Sequence, residues 1–174
     1  AGGKYTTYRR MARDIVEHVL TMEFGLEDRM KFARNNTRQA INPLVTSEKL
    51  KEALAWSEAW AQEFNLPHKE TRLLCERHGV EAYDLLRQGQ DLKLKSTWEM
   101  EAAFAIRNTM CLHFRDFMLR RTPLFLAEAD HGYSRVDALA SVFQKAYGWD
   151  AQILEQEKAL YADHLKLELS WRKS

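Results

Sequence analysis

"STWEMEAAFAIRNTMCLHFRDFMLRR", residues 96–121, decides the fold. Ser96 and Glu99 form an S-x-x-E capping box, in which a hydroxyl and a carboxylate satisfy backbone N–H groups that the first helical turn leaves open. No glycine or proline interrupts the run behind it. Apolar side chains fall nearly all round a helical wheel: Ala102, Phe104, Ile106, Met110, Leu112, Phe114 and Phe117. A helix apolar on every side is normally the buried centre of a bundle. The expectation is one long buried helix over 97–121, with the rest of the chain packed round it.

Working outward, the same periodicity recurs on both sides. Tyr8, Met11, Ala12, Ile15, Val16, Val19 and Leu20 repeat at i, i+3, i+4, i+7, and Gly25 follows as a stop. The pattern loosens from residue 26 to 46: "LEDRMKFARNN" suits a short helix, and "NNTRQAINPLVT" reads as a linker. Ser47 can cap the next helix, with Leu50, Ala53, Leu54, Trp60, Ala61 and Phe64 as its stripe. Pro67 opens a further helix that ends at Gly79, and "VEAYDLLRQG" makes a brief one. Two more span about 133–147 and 150–169, separated by Gly148. With no alternating strand pattern and no internal repeat, the fold class is all-α, a bundle of six to seven helices.

Composition narrows the function classes. The chain has 174 residues, 45% hydrophobic and 29% charged, with a net charge of +1. Nucleic-acid binding needs a basic excess to neutralise phosphates, so a nucleic-acid partner is not expected. Cys75 and Cys111 lie far apart without a C-x-x-C and read as reduced core thiols. No apolar run reaches the roughly 18 residues of a membrane span, and the N-terminus lacks the order of a signal peptide.

Motif tests for chemistry mostly fail. A P-loop needs G-x-x-x-x-G-K-[ST], but Lys4 is followed by Tyr5, and no G-x-G-x-x-G occurs. A di-iron bundle needs Glu-x-x-His twice, and Glu128–His131 is the one occurrence. Cys75-x-x-His78 offers two ligands with no second pair, so it reads as a core thiol and a surface histidine; no metal site is expected. Arg9, Arg10 and Arg13 stand in the first turns of a helix, where the macrodipole disfavours cations. Either they are solvated there or an anion sits opposite. Arg120 and Arg121 suit a helix end, and Asp116 is placed to pair with Arg120, a structural use.

"GGKYTTYRRMA", residues 2–12, fits a pattern of G-G-K, two residues, a small or acidic residue, Tyr-Arg, two residues, Ala. "RHGVEAYDLL", an acidic residue at Glu101, Arg107, "RDFMLRRTPLFL" and "AYGWD" then follow in order. Together these resemble the FAD-dependent glycerol-3-phosphate dehydrogenases, over nearly the whole chain. The sequence departs from that family at Thr109, where a carboxylate is common, and at Pro123, where arginine is frequent.

The resemblance implies that residues 1–24 close an FAD-binding domain, that 25–46 link it onward and that 47–174 form a C-terminal helical domain. Gly2 and Gly3 would let the backbone approach FAD, Thr6 and Thr7 would lie close by, and Lys4 would supply charge to the substrate. Glu101, Arg107, Asp116, Arg120 and Arg121 would be structural. The dinucleotide fingerprint and most of the substrate pocket would lie upstream, so the chain looks like an excised C-terminal piece, without bound flavin or turnover of its own. The implied parent is a cytoplasmic oxidoreductase, with glycerol 3-phosphate and the FAD-binding domain as partners. A homodimer and a peripheral contact with the inner face of the membrane also fit it. The rival reading is a stand-alone helical interaction module, favoured by five tryptophans and the lack of a complete catalytic constellation.

Overall fold

A computed structural model describes residues 7–23 and 46–173, and every regular element among them is helical. The chain divides into two compact units, Ala1–Pro43 and Leu44–Ser174. The first contributes α1 (Tyr8–Glu23), an amphipathic helix on which Arg13 pairs with Glu17 at 2.7 Å. Its apolar residues Ile15, Val16, Val19 and Met22 are exposed. The short helix expected in 26–36 and the linker up to residue 45 lie outside the described residues.

The second unit begins with α2 (Ser47–Glu63), α3 (His68–His78) and α4 (Glu81–Asp91). Thr46, rather than Ser47, caps α2 by accepting from the Lys49 N–H, and Pro67 stands at the N-cap of α3. Next comes α5 (Thr97–Asn108), opened by the expected capping box: Ser96 Oγ accepts from the Glu99 N–H, and Glu99 accepts from the Ser96 N–H. A three-residue turn, α6 (Phe114–Asp116), runs into a π-helical turn, Phe117–Arg121. After α7 (Leu124–Ala127) and a 3-10 turn (Tyr133–Arg135) come α8 (Val136–Tyr147) and α9 (Ala151–Glu168), and a 3-10 turn (Ser170–Lys173) follows. The α8–α9 break falls where the sequence puts it. Gly148 holds the left-handed conformation at φ 66°, and Asp150 caps α9 by accepting from the Ile153 N–H.

The apolar girdle of α5 has a clear physical reason, because two cores meet on it. Met100 and Phe104 join residues of α2, α3 and α4, including Ala53, Leu74 and Leu86. Ala102 and Ala105 face a second core built from Phe114, Phe117, Phe143 and Tyr161. In that core Phe114 meets Phe143 and Tyr161 edge-on at 5.8 and 5.9 Å between ring centres. Such pairs add about 0.5–1.5 kcal/mol each beyond their buried area.

The expected helix over 97–121 is corrected: α5 stops at Asn108. Asn108 and Thr109 turn their side chains back to the Phe104 and Ala105 carbonyls, which competes with continued helix. Met110 then takes φ 51°, a left-handed conformation through which the right-handed helix cannot continue. Met110 and Leu112, assigned to the buried girdle, come out exposed instead.

Gly89 of α4 sets how closely α4 and α5 approach, since a Cβ there would lie 2.2 Å from Met100 Cγ. Alanine favours helix by about 1 kcal/mol, whereas overpacking a core contact costs about 1–3 kcal/mol. Gly89→Ala is therefore expected to lower stability in urea unfolding, and Met100→Ala to relieve part of the loss in a double-mutant cycle. A Gly89→Ala chain as stable as the parent would show that the two helices are not in contact here.

Candidate functional site

Glu101 projects from α5 toward the last turn of α3 and is only 2% exposed. A carboxylate in that position is tolerable only when its charge and lone pairs are met. Arg77 donates from Nε to one oxygen and from Nη2 to the other, both at 2.9 Å, and His78 Nε2 lies 2.7 Å from Oε1. Arg77 and His78 close α3, where positive charge also suits the helix dipole. The Arg77 guanidinium lies 4.7 Å from the centre of the Trp98 ring, and Arg135 approaches the same ring at 5.9 Å. Arg135 in turn donates to Glu128 at 3.0 Å. A continuous polar and aromatic line thus joins His78, Glu101, Arg77, Trp98, Arg135 and Glu128.

A second buried carboxylate, Glu157 of α9, accepts from the Phe114 N–H at 3.0 Å and lies 2.8 Å from His113 Nδ1. It thereby satisfies an open N–H at the start of α6 from a distant helix. Close by, Arg121 donates to the Thr109 carbonyl and hydroxyl, each at 3.2 Å.

The residues singled out in the sequence fall into three groups. Asp116 pairs with Arg120, and Arg121 donates to Thr109. Glu101 is buried and paired, but with Arg77 and His78; Arg107 is exposed and makes no bond with it. Gly2, Gly3, Lys4 and Thr6 lie outside the described residues, as does the side chain of Arg9. Thr7 is exposed immediately before α1, with its carbonyl accepting from the Met11 N–H. The partners of Glu101 were within reach, since "RHG" and Glu101 both belong to the motifs quoted above. The 24-residue separation of Arg77 and Glu101 across three helices hid the pairing. Glu157 carried no signal, being one of several acids on an exposed-looking helix.

Neither cysteine is poised for nucleophilic chemistry. Cys75 and Cys111 are free and buried, and burial pushes both thiols up to about 11. His78 is no surface histidine but a partner of Glu101. Glu128 accepts from Arg135, and His131 Nδ1 meets the Phe125 carbonyl at 2.7 Å, while its Nε2 is buried without a hydrogen-bond partner among the described residues. No group of three or more metal-ligating side chains occurs among the described residues. The line from His78 to Glu128, with Glu101 as its buried member, can hold α3, α5 and the segment before α8 in register.

Two measurements check this. Glu101→Ala should cost about 3 kcal/mol in urea unfolding by leaving Arg77 and His78 without their acceptor, while Arg107→Ala should stay within about 0.5 kcal/mol; equal effects would refute the assignment. Both thiols should resist a thiol reagent in the folded chain and react once it unfolds. Because their values are raised, the stability they contribute is complete below about 9 and is lost as pH climbs toward about 11. Fast labelling of either thiol in the folded chain at neutral pH would contradict their burial.

Comparison with known proteins places this domain. The family described as the C-terminal domain of alpha-glycerophosphate oxidase matches residues 31–153. An alpha-glycerophosphate oxidase of Streptococcus pneumoniae is 29% identical, over 98% of this chain and 28% of its own length. A "Probable glycerol-3-phosphate dehydrogenase" of Encephalitozoon cuniculi is 26% identical, over 91% of this chain and 25% of its own. A glycerol-3-phosphate dehydrogenase of Mycobacterium leprae is also 26% identical, over 97% and 29% respectively. The chain thus spans between a quarter and a third of the length of these relatives. No solved structure matches it. A match over residues 31–153, carried by an all-helical unit with buried polar bridges, makes the chain a member of the alpha-glycerophosphate oxidase C-terminal domain family.

Proposed function

We propose that this chain is the C-terminal helical part of an FAD-dependent glycerol-3-phosphate dehydrogenase and serves it as a scaffold. The observation that carries this is the run of similarity over 91–98% of the chain to proteins named for that chemistry, each about three to four times as long. The parent would oxidise sn-glycerol 3-phosphate to dihydroxyacetone phosphate, with FAD accepting a hydride and passing electrons to quinone. Hydride chemistry of this kind belongs to the cofactor, and the protein contributes binding and orientation.

Residues 1–24 are assigned to the end of the FAD-binding domain, 25–46 to a linker and 47–174 to the helical domain. The exposed apolar face of α1, and its place in a unit separate from 44–174, support that division. Gly2, Gly3, Thr6 and Thr7 are assigned to the surroundings of FAD, and Lys4 to the substrate phosphate. Of these only Thr7 is described, exposed at the start of α1. A cytoplasmic setting, with a homodimer and peripheral contact at the inner membrane face, belongs to the same proposal. No described helix is long and apolar enough to cross a membrane.

The test is to purify the full-length product of the gene beside the 174-residue chain. The expected result is stoichiometric flavin, and glycerol 3-phosphate-dependent dye reduction, in the long product and neither in the short chain. A flavin-free native product of about this chain's size, 20.4 kDa, would sink the proposal in favour of a stand-alone interaction module. In the long product, Lys4→Ala should raise KM for glycerol 3-phosphate by about 10- to 150-fold, the cost of a lost charge-assisted hydrogen bond. An unchanged KM would remove Lys4 from the substrate site.

A further inference from the structure

We propose that the loop 109–113 is the docking knob by which the helical domain seats on the preceding, flavin-binding part of its parent, with Met110 and Leu112 as the apolar contacts. The proposal rests on the dehydrogenase reading above. Its starting point is an anomaly of exposure. Met110 is 83% exposed and Leu112 56%, although both sit beside a buried core. Met110 also holds φ 51°, a left-handed conformation that a long side chain adopts at a cost.

The loop is fixed in that shape from several directions. Arg121, from the π turn, grips the Thr109 carbonyl and hydroxyl at 3.2 Å. Tyr147, at the end of α8, donates to the Cys111 carbonyl at 3.0 Å. Glu157 of α9 holds the following residues through His113 and the Phe114 N–H. Between these anchors Cys111 is buried, so its two neighbours are turned outward. Three elements together fix the backbone from which two apolar side chains stand in water. Conformational cost settled in advance is what a binding surface gains from such rigidity.

The occupant follows from length. In the relatives, roughly three quarters of the protein lies outside the region that this chain matches. Contacts between domains of one chain are commonly modest in area, so a few rigid apolar anchors suffice to centre one. Arg121, exposed and bonded to Thr109, sets a charged group beside the knob, as the polar rim of such contacts requires.

Oxidation by hydrogen peroxide reads the proposal directly, since methionine sulfoxide formation follows exposure. In the 174-residue chain Met110 should oxidise as fast as an added methionine peptide, with buried Met100 and Met118 slow. In the flavin-loaded long product, Met110 should be protected by about tenfold or more. Equal rates in the two proteins, with flavin bound, would overturn the docking and leave the dehydrogenase reading standing. A flavin-free product of the short length would remove both. Protection of Met110 in the short chain that grows with concentration would place a second copy on the loop, and would also overturn the proposal.

A double variant gives an independent reading. Met110→Asn with Leu112→Ser replaces the apolar contacts, and asparagine tolerates the left-handed backbone. The melting temperature of the 174-residue chain should stay within about 2 °C, as for exposed substitutions. Tryptic cleavage of the long product between its units should rise by about fivefold or more as the contact loosens. Unchanged cleavage would count against the knob.

Discussion

A charge buried on a helix that two cores share constrains everything packed around it. Met100 and Phe104 on one side of α5, and Ala102 and Ala105 on another, leave little of the helix free of apolar contact. Glu101 occupies the remaining direction, toward α3. An ionised carboxylate there has to be matched by donors of fixed geometry, and the planar fork of Arg77 meets both oxygens at once. The match leaves α3 one position along α5. Buried ion pairs of this kind add little net stability over a well-packed apolar pair, because desolvation offsets the attraction. What Glu101 contributes is register, since a shift of α3 by one turn would strand the charge.

Trp98 extends the same constraint. It lies three residues before Glu101 on α5, so the two side chains share a face of the helix. Arg77 can therefore serve the carboxylate through its edge and the indole through its face, and Arg135 approaches the ring as well. Through Arg135 and Glu128 the line reaches the segment that leads into α8, the helix that supplies Val142 and Phe143 to the second core. One buried acid thus couples the α2–α4 layer to the helices that follow α5.

What the sequence disclosed and what it hid divide along the same physical line. Local devices were legible: the Ser96–Glu99 box, Gly148 with Asp150, Gly79 after α3, and the Asp116–Arg120 pair each act within five residues or fewer. The apolar girdle of α5 was legible as well, because burial on several sides leaves a pattern within a single segment. The end of α5 was not. Asn108 and Thr109 are weak helix breakers, and periodicity alone gave no stop there. The stop depends on Arg121, Tyr147 and Glu157, which lie between 12 and 44 residues from the loop positions they hold. For the same reason Glu101 stood out as a residue while its partners did not.

The matched family region ends at residue 153, yet the fold extends past it. Beyond that point α9 brings Tyr161 and Leu165 into the core that α8 and the π turn build, and Tyr161 donates to the His131 carbonyl. It also brings Glu157, whose carboxylate serves the Phe114 N–H at the start of α6. A three-residue helical turn cannot meet its own open N–H groups, and α6 has no side-chain cap from His113. Without α9 the restart of helix after the loop would lose its acceptor, and Phe114 its edge-on partner Tyr161. The capping logic thus carries the packed unit into α9, beyond the edge of the matched region, and Leu169 after α9 still packs on the same core. The shape of the 109–113 loop depends on a helix more than forty residues later in the chain.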